Sequence, residues 1–223
     1  MKATIKNTII YFLFIFCAQH LYAQQHPAFW EEIQSFKKQD SSNAPPKNAI
    51  LFVGSSSFRK WTDVQSYFPG YTIINRGFGG STLPDMIQYV DDIILPYKPK
   101  QIFIYCGDND LAASDTVSAT TVFIRFQQLF SMIRKKLPKA YIVYVSIKPS
   151  PSRQKLMPKM EAANNMIKKF LSKKPKTGFV DVYHKMLKPD GTPMDDIFLE
   201  DKLHMTAKGY KIWQKEIQPY LLK

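Results

Sequence analysis

Two short segments of the chain hold side chains that could perform nucleophilic chemistry together. Three serines, residues 55–57, follow the apolar run AILFV at 49–53, and Asp201 precedes His204 by three residues. A serine hydroxyl is a poor nucleophile until a base takes its proton, and histidine is the side chain that titrates near neutral pH. An acid three residues from a histidine can lie on the same side of a turn and orient its ring. The alternative for the serines is helix capping, and for Asp201 and His204 a helix terminus at the surface.

Histidine is scarce, which narrows the choice of base. Beyond residue 23 the chain has only His26, His184 and His204. His26 lies near the start of the mature chain, and His184 follows the fifth predicted strand beside a lysine. Only His204 is expected to have a carboxylate spaced to orient its ring, so His204 is the predicted base.

The N-terminus has the layout of a secretory signal peptide. Lys2 and Lys6 precede the unbroken apolar run 9–17, and LYA at 21–23 offers a small residue for cleavage just before Gln24. The apolar run is shorter than the roughly 20 residues that span a bilayer. We therefore predict a signal peptide at 1–23, a single domain at 24–223, and export to the periplasm or beyond. An uncleaved membrane anchor is the alternative.

The composition is that of a globular protein with a strong positive charge. The formal net charge is +13, and 45% of the residues are hydrophobic. The lysines are spread along the chain without zinc-binding spacing or an RNA-binding signature, so no nucleic-acid partner is expected. A basic face that contacts anionic surfaces, such as lipid headgroups or acidic polysaccharide, is expected instead. Cys106 lies in an apolar run and is expected to be a buried, unreactive side chain.

Alternating apolar strands and helices predict the fold class. The strands are expected at 49–54, 72–76, 101–106, 140–147 and 178–183. The helices are expected at 27–38, 83–94, 118–136, 158–173 and 206–218, with a polar connector at 40–47. Apolar strands separated by helices predict a three-layer α/β/α fold with a five-stranded, mostly parallel, flavodoxin-like sheet.

Polar segments follow the predicted strands at the edge of the sheet where α/β proteins build their sites. They read GSSS after the first strand, RGFGGS after the second and GDND after the third, and DKLH precedes the last helix. Each alone is weak evidence, because serines cap helices and glycine, asparagine and aspartate favour turns.

In this order, the four segments resemble the sequence blocks of the SGNH, or GDSL-type, hydrolase family. The resemblance covers about residues 49–220 and is closest to exported bacterial members with the forms NRGFGGS and YCGDND. It implies an esterase or lipase that uses a serine nucleophile and neither a metal nor a cofactor.

The resemblance also assigns roles to individual residues. It implies Ser56 as the nucleophile, His204 as the base and Asp201 as the residue that orients the base. The oxyanion hole would comprise the backbone N–H groups of Ser56 and Gly80 and the side-chain amide of Asn109. Ser55 stands where the family block Gly-Asp-Ser has its aspartate.

Five further residues near these blocks are candidates for contact with the substrate. Phe58, Trp61 and Phe78 flank the blocks and could line a pocket, with core packing as the alternative. In the segment SIKPSPSR at 146–153, Arg153 or Lys148 could contact a negative substrate group. A proline-stiffened loop is the alternative for that segment.

The predicted function is hydrolysis of an oxygen ester through an acyl-enzyme. Short acyl esters of carbohydrate, such as acetyl esters, are the expected substrates. A lysophospholipase-like activity, an O-acyltransferase and a non-catalytic glycan-binding module are the alternatives. The substrate partner is accordingly a small-molecule, glycan or lipid ester.

Overall fold

A five-stranded sheet forms the centre of the protein in the computed structural model, which describes residues 26–223. Its strands are β1 (Ile50–Gly54), β2 (Ile73–Gly77), β3 (Gln101–Tyr105), β4 (Tyr141–Val145) and β5 (Thr177–Val180). The strand order is β2-β1-β3-β4-β5, and all four pairings are parallel. The predicted flavodoxin-like sheet is therefore confirmed, and it is parallel throughout.

Helices connect successive strands and cover the sheet. They are α1 (Trp30–Ser42), α2 (Ser56–Arg59), α3 (Val64–Tyr67), α4 (Leu83–Gln88), α5 (Val90–Ile93), α6 (Asp108–Ala113), α7 (Ala119–Lys136), α8 (Met157–Leu171) and α9 (Ala207–Ile217). Short 3-10 helices lie at Leu95–Tyr97, Pro151–Leu156, His184–Met186 and Gln218–Tyr220. Every residue of β1 and β3 is buried, as expected for strands covered on both faces.

The structure departs from the expected elements in four places. The helix expected at 27–38 is α1, which runs to Ser42 and so includes the start of the connector expected at 40–47. The helix expected at 83–94 is two short helices, α4 and α5, separated at Tyr89. GDND, expected as a turn, begins helix α6. The strand expected at 178–183 ends at Val180, because the backbone N–H groups of Val182 and Tyr183 donate to Ser146 Oγ at 3.0 Å instead of continuing the ladder.

Residues 31–223 make up one of two compact units of the chain. Of the other, the structure describes residues 26–30, in which the His26 ring stacks on Trp30 with centroids 3.7 Å apart. The predicted signal peptide at 1–23 lies outside the described residues, and the single domain at 24–223 stays a prediction. Within 26–223, no helix is both long and apolar enough to cross a bilayer. Cys106 is buried, as expected.

Candidate active site

The serine segment begins at a turn that only glycine can make. Gly54 ends β1 with φ +144°, and a Cβ there would lie 1.9 Å from the carbonyl oxygen of Tyr105 on β3. The close approach lets Ser55 N–H donate to that carbonyl at 2.9 Å. Helix α2 then starts at Ser56, so Ser56 stands just beyond the carboxyl end of β1.

Ser56, His204 and Asp201 form a continuous chain of hydrogen bonds. His204 Nε2 lies 3.0 Å from Ser56 Oγ, although the two residues are 148 positions apart in sequence. His204 Nδ1 lies 2.6 Å from Asp201 Oδ2. An ionised carboxylate only accepts, so Nδ1 carries the ring proton and Nε2 is left to accept the proton of the serine hydroxyl. The arrangement is suited to raising the nucleophilicity of Ser56.

Asp201 is held as a carboxylate by its own loop. Its Oδ1 accepts the backbone N–H groups of Leu203 at 3.0 Å and of His204 at 2.9 Å. Partial burial raises the pKa of Asp201, but the hydrogen bonds from the His204 ring and from the two backbone groups outweigh it and hold the pKa below its usual value. Asp201 therefore stays ionised at neutral pH, where it can stabilise an imidazolium.

A tight reversal of the chain before α9 presents both residues. Thr206 N–H donates to Ile197 O at 2.9 Å, and Leu199 N–H donates to the carbonyl of His204 at 2.8 Å. Lys202, at the tip, has φ +54°. Asp201 and His204 thus lie in the loop that leads into α9 and not on the helix itself.

Gly80 lies in the loop after β2, with φ +82°. Its backbone N–H has no hydrogen-bond partner among the described residues. The preceding N–H, of Gly79, donates to Glu32 Oε2 at 3.3 Å, and the other carboxylate oxygen of Glu32 pairs with Arg59 at 2.5 Å. Glu32 on α1 therefore links the glycine loop to the end of α2, which carries Ser56.

The Asn109 amide is fixed by hydrogen bonds to both of its ends. Its Nδ2 donates to Ser81 O at 3.0 Å, and its Oδ1 accepts from Arg153 Nη2 at 2.9 Å. The guanidinium determines which end of the amide is the donor, because arginine can only donate. One of the two Nδ2 hydrogens is used by Ser81, which leaves the other for an oxyanion.

A buried charge cluster supports this arrangement. Asp108 is buried next to Asn109, with Arg153 Nη1 at 3.0 Å and Lys148 Nζ at 3.9 Å from its Oδ2. Burial of the Lys148 ammonium lowers its pKa to about 8, although attraction to Asp108 opposes the shift. Lys148 is enclosed and faces Asp108, so it cannot contact a substrate as the sequence suggested. Arg153 also pairs with Asp108, but its side chain remains 17% exposed.

Phe58, Trp61 and Phe78, expected as possible pocket-lining residues, are fully buried. Phe58 packs edge-on against Trp213 with centroids 5.8 Å apart, and Trp61 stacks on Tyr210 at 4.8 Å. The pocket-lining prediction is corrected for these three: their rings fill the core beneath the loops, because burial of aromatic surface stabilises the fold.

A second Asp-x-x-His pair shows that one part of the sequence analysis was wrong. His184 Nδ1 lies 2.8 Å from Asp181 Oδ2, the same ring nitrogen and spacing as in the pair at 201 and 204. The sequence analysis predicts a ring-orienting carboxylate for His204 alone, and this prediction is wrong. Its Nε2 faces Glu161 Oε1 at 3.8 Å, not a serine. The nearby hydroxyl therefore distinguishes His204 from His184, and the spacing of the acid does not.

An open cleft of about 920 Å³ lies beside the Asn109 helix. It is lined by Leu111, Ala112 and Asp115 and by residues 151–156. Arg153 both lines this cleft and binds Asn109, so the cleft is next to the candidate oxyanion site. Among residues 26–223, no group of three His, Cys, Asp or Glu side chains is placed to hold a metal ion.

Sequence reasoning missed the links that orient the candidate groups. Glu32 lies in the helix expected at 27–38, and Asp108 lies inside the segment GDND. Neither has a local signal, because each acts on residues far away in the chain. Arg153 was noticed, but its partner Asn109 is 44 positions distant.

Comparison with known proteins gives a family match and a shared fold. Residues 48–212 match the family described as GDSL-like Lipase/Acylhydrolase. A search among curated proteins gives no match.

Solved structures have the same fold at low identity. A GDSL-like lipase from Bacteroides thetaiotaomicron is 19% identical, with 84% of this chain and 96% of that chain covered and a TM-score of 0.72. A Streptococcus pneumonia protein provisionally described as a platelet activating factor is 22% identical, with 86% and 92% covered and a TM-score of 0.75. An acetylxylan esterase from Geobacillus stearothermophilus is 15% identical, with 77% and 93% covered and a TM-score of 0.59.

Proposed function

The chain belongs to the GDSL-like lipase and acylhydrolase family and is a hydrolase of ester bonds, and on this premise we propose that it works through a Ser56 acyl-enzyme. The observation that carries the proposal is the hydrogen-bonded chain from Ser56 through His204 to Asp201, assembled from two segments far apart in sequence. Serine, histidine and aspartate in this order form a catalytic triad whatever the fold.

Each group has a definite role in the proposed reaction. His204 Nε2 takes the hydroxyl proton as Ser56 Oγ attacks the ester carbonyl, and the same nitrogen returns the proton to the leaving alcohol. Water then attacks the acyl-enzyme by the same path in reverse. Asp201 stabilises the imidazolium in both steps. The backbone N–H groups of Ser56 and Gly80 and the remaining Nδ2 hydrogen of Asn109 receive the oxyanion.

Short acyl esters of carbohydrate are the proposed substrates. The aromatic side chains nearest the serine segment are enclosed in the core, so they offer no apolar channel to a long acyl chain. The neighbouring cleft has hydrogen-bonding side chains in Ser152, Arg153 and Gln154, which suit a hydroxyl-rich alcohol group. A structural relative with acetylxylan esterase activity is consistent with this substrate class.

The test is hydrolysis of p-nitrophenyl esters from acetyl to long acyl, together with covalent labelling by a serine-directed phosphonate. The serine run supplies matched controls: Ser56→Ala is expected to lose labelling and turnover, whereas Ser55→Ala is expected to keep both. Rates that fall with acyl length support the short-acyl proposal. Rates that rise with length favour a lipid esterase, and labelling that persists in Ser56→Ala overturns the nucleophile assignment.

A further inference from the structure

Lysines that are scattered in sequence gather where the strands begin. The segments that lead into β1, β3, β4 and β5, at 43–49, 94–100, 134–140 and 172–176, contain nine lysines and neither aspartate nor glutamate. We call this surface the amino edge. Its lysines are Lys47, Lys98, Lys100, Lys135, Lys136, Lys139, Lys173, Lys174 and Lys176.

The parallel sheet makes the amino edge continuous. β1, β3, β4 and β5 are successive neighbours, so the loops that enter them lie side by side. Lys100 N–H donates to Ala49 O at 3.1 Å, and Tyr141 N–H donates to Lys100 O at 3.0 Å. Ile142 N–H donates to Lys176 O at 3.0 Å, which completes the row. The carboxyl ends of the strands, where Ser56 lies, form the opposite edge.

The loops of the amino edge are held together by Arg134. Its guanidinium donates to Ala140 O at 2.8 Å and Pro138 O at 3.0 Å before β4. It also donates to Lys176 O at 3.0 Å before β5. The one arginine of the edge is therefore used inside the fold, and lysines supply the outward charge.

The lysines of the amino edge have no carboxylate partner in the part of the chain that the structure describes. Eight of the nine lysines are exposed and Lys100 is half-buried. None of the nine pairs with a carboxylate among residues 26–223, whereas Lys37, Lys188 and Lys208 elsewhere do. Shallow clefts of about 400 and 390 Å³ run between the loops, the first shared by Lys47 and Lys98 and the second by Lys98, Lys136 and Lys139.

We propose that the amino edge docks onto an anionic lipid surface. Lysine ammonium groups on mobile stems suit a plane of phosphate headgroups, whereas readout of nucleic acid relies on arginine forks and stacked aromatic rings. Of the large apolar side chains exposed among residues 26–223, only Leu222 lies beside the amino edge, where its N–H donates to Gln101 Oε1 at 2.9 Å, so the binding is mainly electrostatic and peripheral. Docking in this way leaves the catalytic edge facing away from the membrane.

The test measures the binding of full-length charge-reversed variants to lipid vesicles by co-sedimentation. The amino-edge variant is Lys135→Glu, Lys136→Glu, Lys139→Glu. The control variant reverses Lys60, Lys155 and Lys185, which are exposed, form no ion pair among residues 26–223 and follow the carboxyl ends of β1, β4 and β5. Both variants lose the same charge and keep the same N-terminal segment. Vesicles of phosphatidylcholine with 30% phosphatidylglycerol, and of phosphatidylcholine alone, are compared at about 0.1 M salt, where the Debye length is about 10 Å.

Each lysine near an anionic surface strengthens binding about fivefold, so the amino-edge variant is expected to bind at least about 100-fold more weakly. The control is expected to lose less than about tenfold, because its lysines lie at the opposite edge, across strands about 16 Å long, which exceeds the Debye length. Equal losses in the two variants, no preference of the wild type for anionic vesicles, or tighter binding to duplex DNA would each overturn the proposal. Thermal unfolding verifies folding, and glutamine replaces glutamate if a variant unfolds. Because the readout is binding and not turnover, the outcome is independent of the proposed esterase reaction.

Discussion

Replacing Arg153 with methionine is expected to slow turnover although Arg153 is not required to touch the reacting atoms. Its Nη2 donates to Asn109 Oδ1 at 2.9 Å and so fixes the amide that we propose as an oxyanion donor. A hydrogen bond from a charged donor contributes about 1.5–3 kcal/mol, which corresponds to about a 10- to 150-fold loss in rate. Loss of the whole donor, in Asn109→Ala, is expected to cost about 10²- to 10³-fold.

The assay is steady-state hydrolysis of p-nitrophenyl acetate, with kcat and KM resolved. The loss is expected in kcat, because the oxyanion develops only after attack. Arg153→Lys is expected to recover part of the rate, since one ammonium cannot replace the fork that holds both Asn109 and Asp108. Lys185→Met, an exposed basic residue outside the cleft, is the control and should stay within about twofold of wild type.

A double-mutant cycle separates positioning from a general structural effect. If Arg153 acts through Asn109, Arg153→Met should add little to the loss already present in Asn109→Ala. Thermal unfolding of each variant is measured alongside, because Lys148, at 3.9 Å, would then be the one cation left beside the Asp108 carboxylate among residues 26–223. The reasoning would be refuted if Arg153→Met had the kcat of wild type. It would also be refuted if the loss in the double variant equalled the sum of the free-energy losses in Arg153→Met and Asn109→Ala.

Three further outcomes are expected from single substitutions. His204→Gln should abolish ester hydrolysis while His184→Gln leaves it unchanged, since only the first ring faces a serine; equal losses would contradict the assignment of the base. Burial lowers the pKa of Lys148 from 10.5 to about 8. Between these two pH values the folded state binds fewer protons than the unfolded state. The free energy of unfolding should therefore rise as the pH increases above about 8. Urea titrations at a series of pH values should show this rise in wild type and a smaller rise in Lys148→Met. If the free energy of unfolding changes equally with pH in both proteins, burial of the Lys148 ammonium does not destabilise the fold. Gly54→Ala should destabilise the protein by several kcal/mol or prevent folding, because its Cβ would lie 1.9 Å from Tyr105 O; a thermal unfolding midpoint equal to that of wild type would disprove the steric argument.

The sequence was sufficient for the fold class because its signals are local. Each β-strand is a short apolar run, each is followed by a helical segment, and five such runs imply a parallel sheet. Strand β1 was expected at 49–54 and is observed at Ile50–Gly54, because glycine marks its end. The break at Tyr89 was not foreseen, since both halves of 83–94 have helical composition.

The family blocks pointed to the candidate residues, but contacts between distant segments distinguish them from their neighbours. Ser55 and Ser57 are buried, whereas Ser56 is partly exposed and faces His204. This difference in exposure depends on the turn at Gly54, after which the three serine side chains point in different directions. Likewise, two Asp-x-x-His pairs have the same local geometry, and only the path of the chain brings one of them to a serine.

What the sequence alone determined was therefore the set of elements, the family blocks and the excess of positive charge. Tertiary structure decided where those features meet. The aromatic rings beside the family blocks lie in the core, and Arg153 binds Asn109. Lysines from four separate segments lie along one edge of the sheet. The physical reason is that parallel strands with helical crossovers bring all strand starts to one edge and all strand ends to the other. The separation of two residues in the sequence does not show whether they lie at the same edge of the sheet.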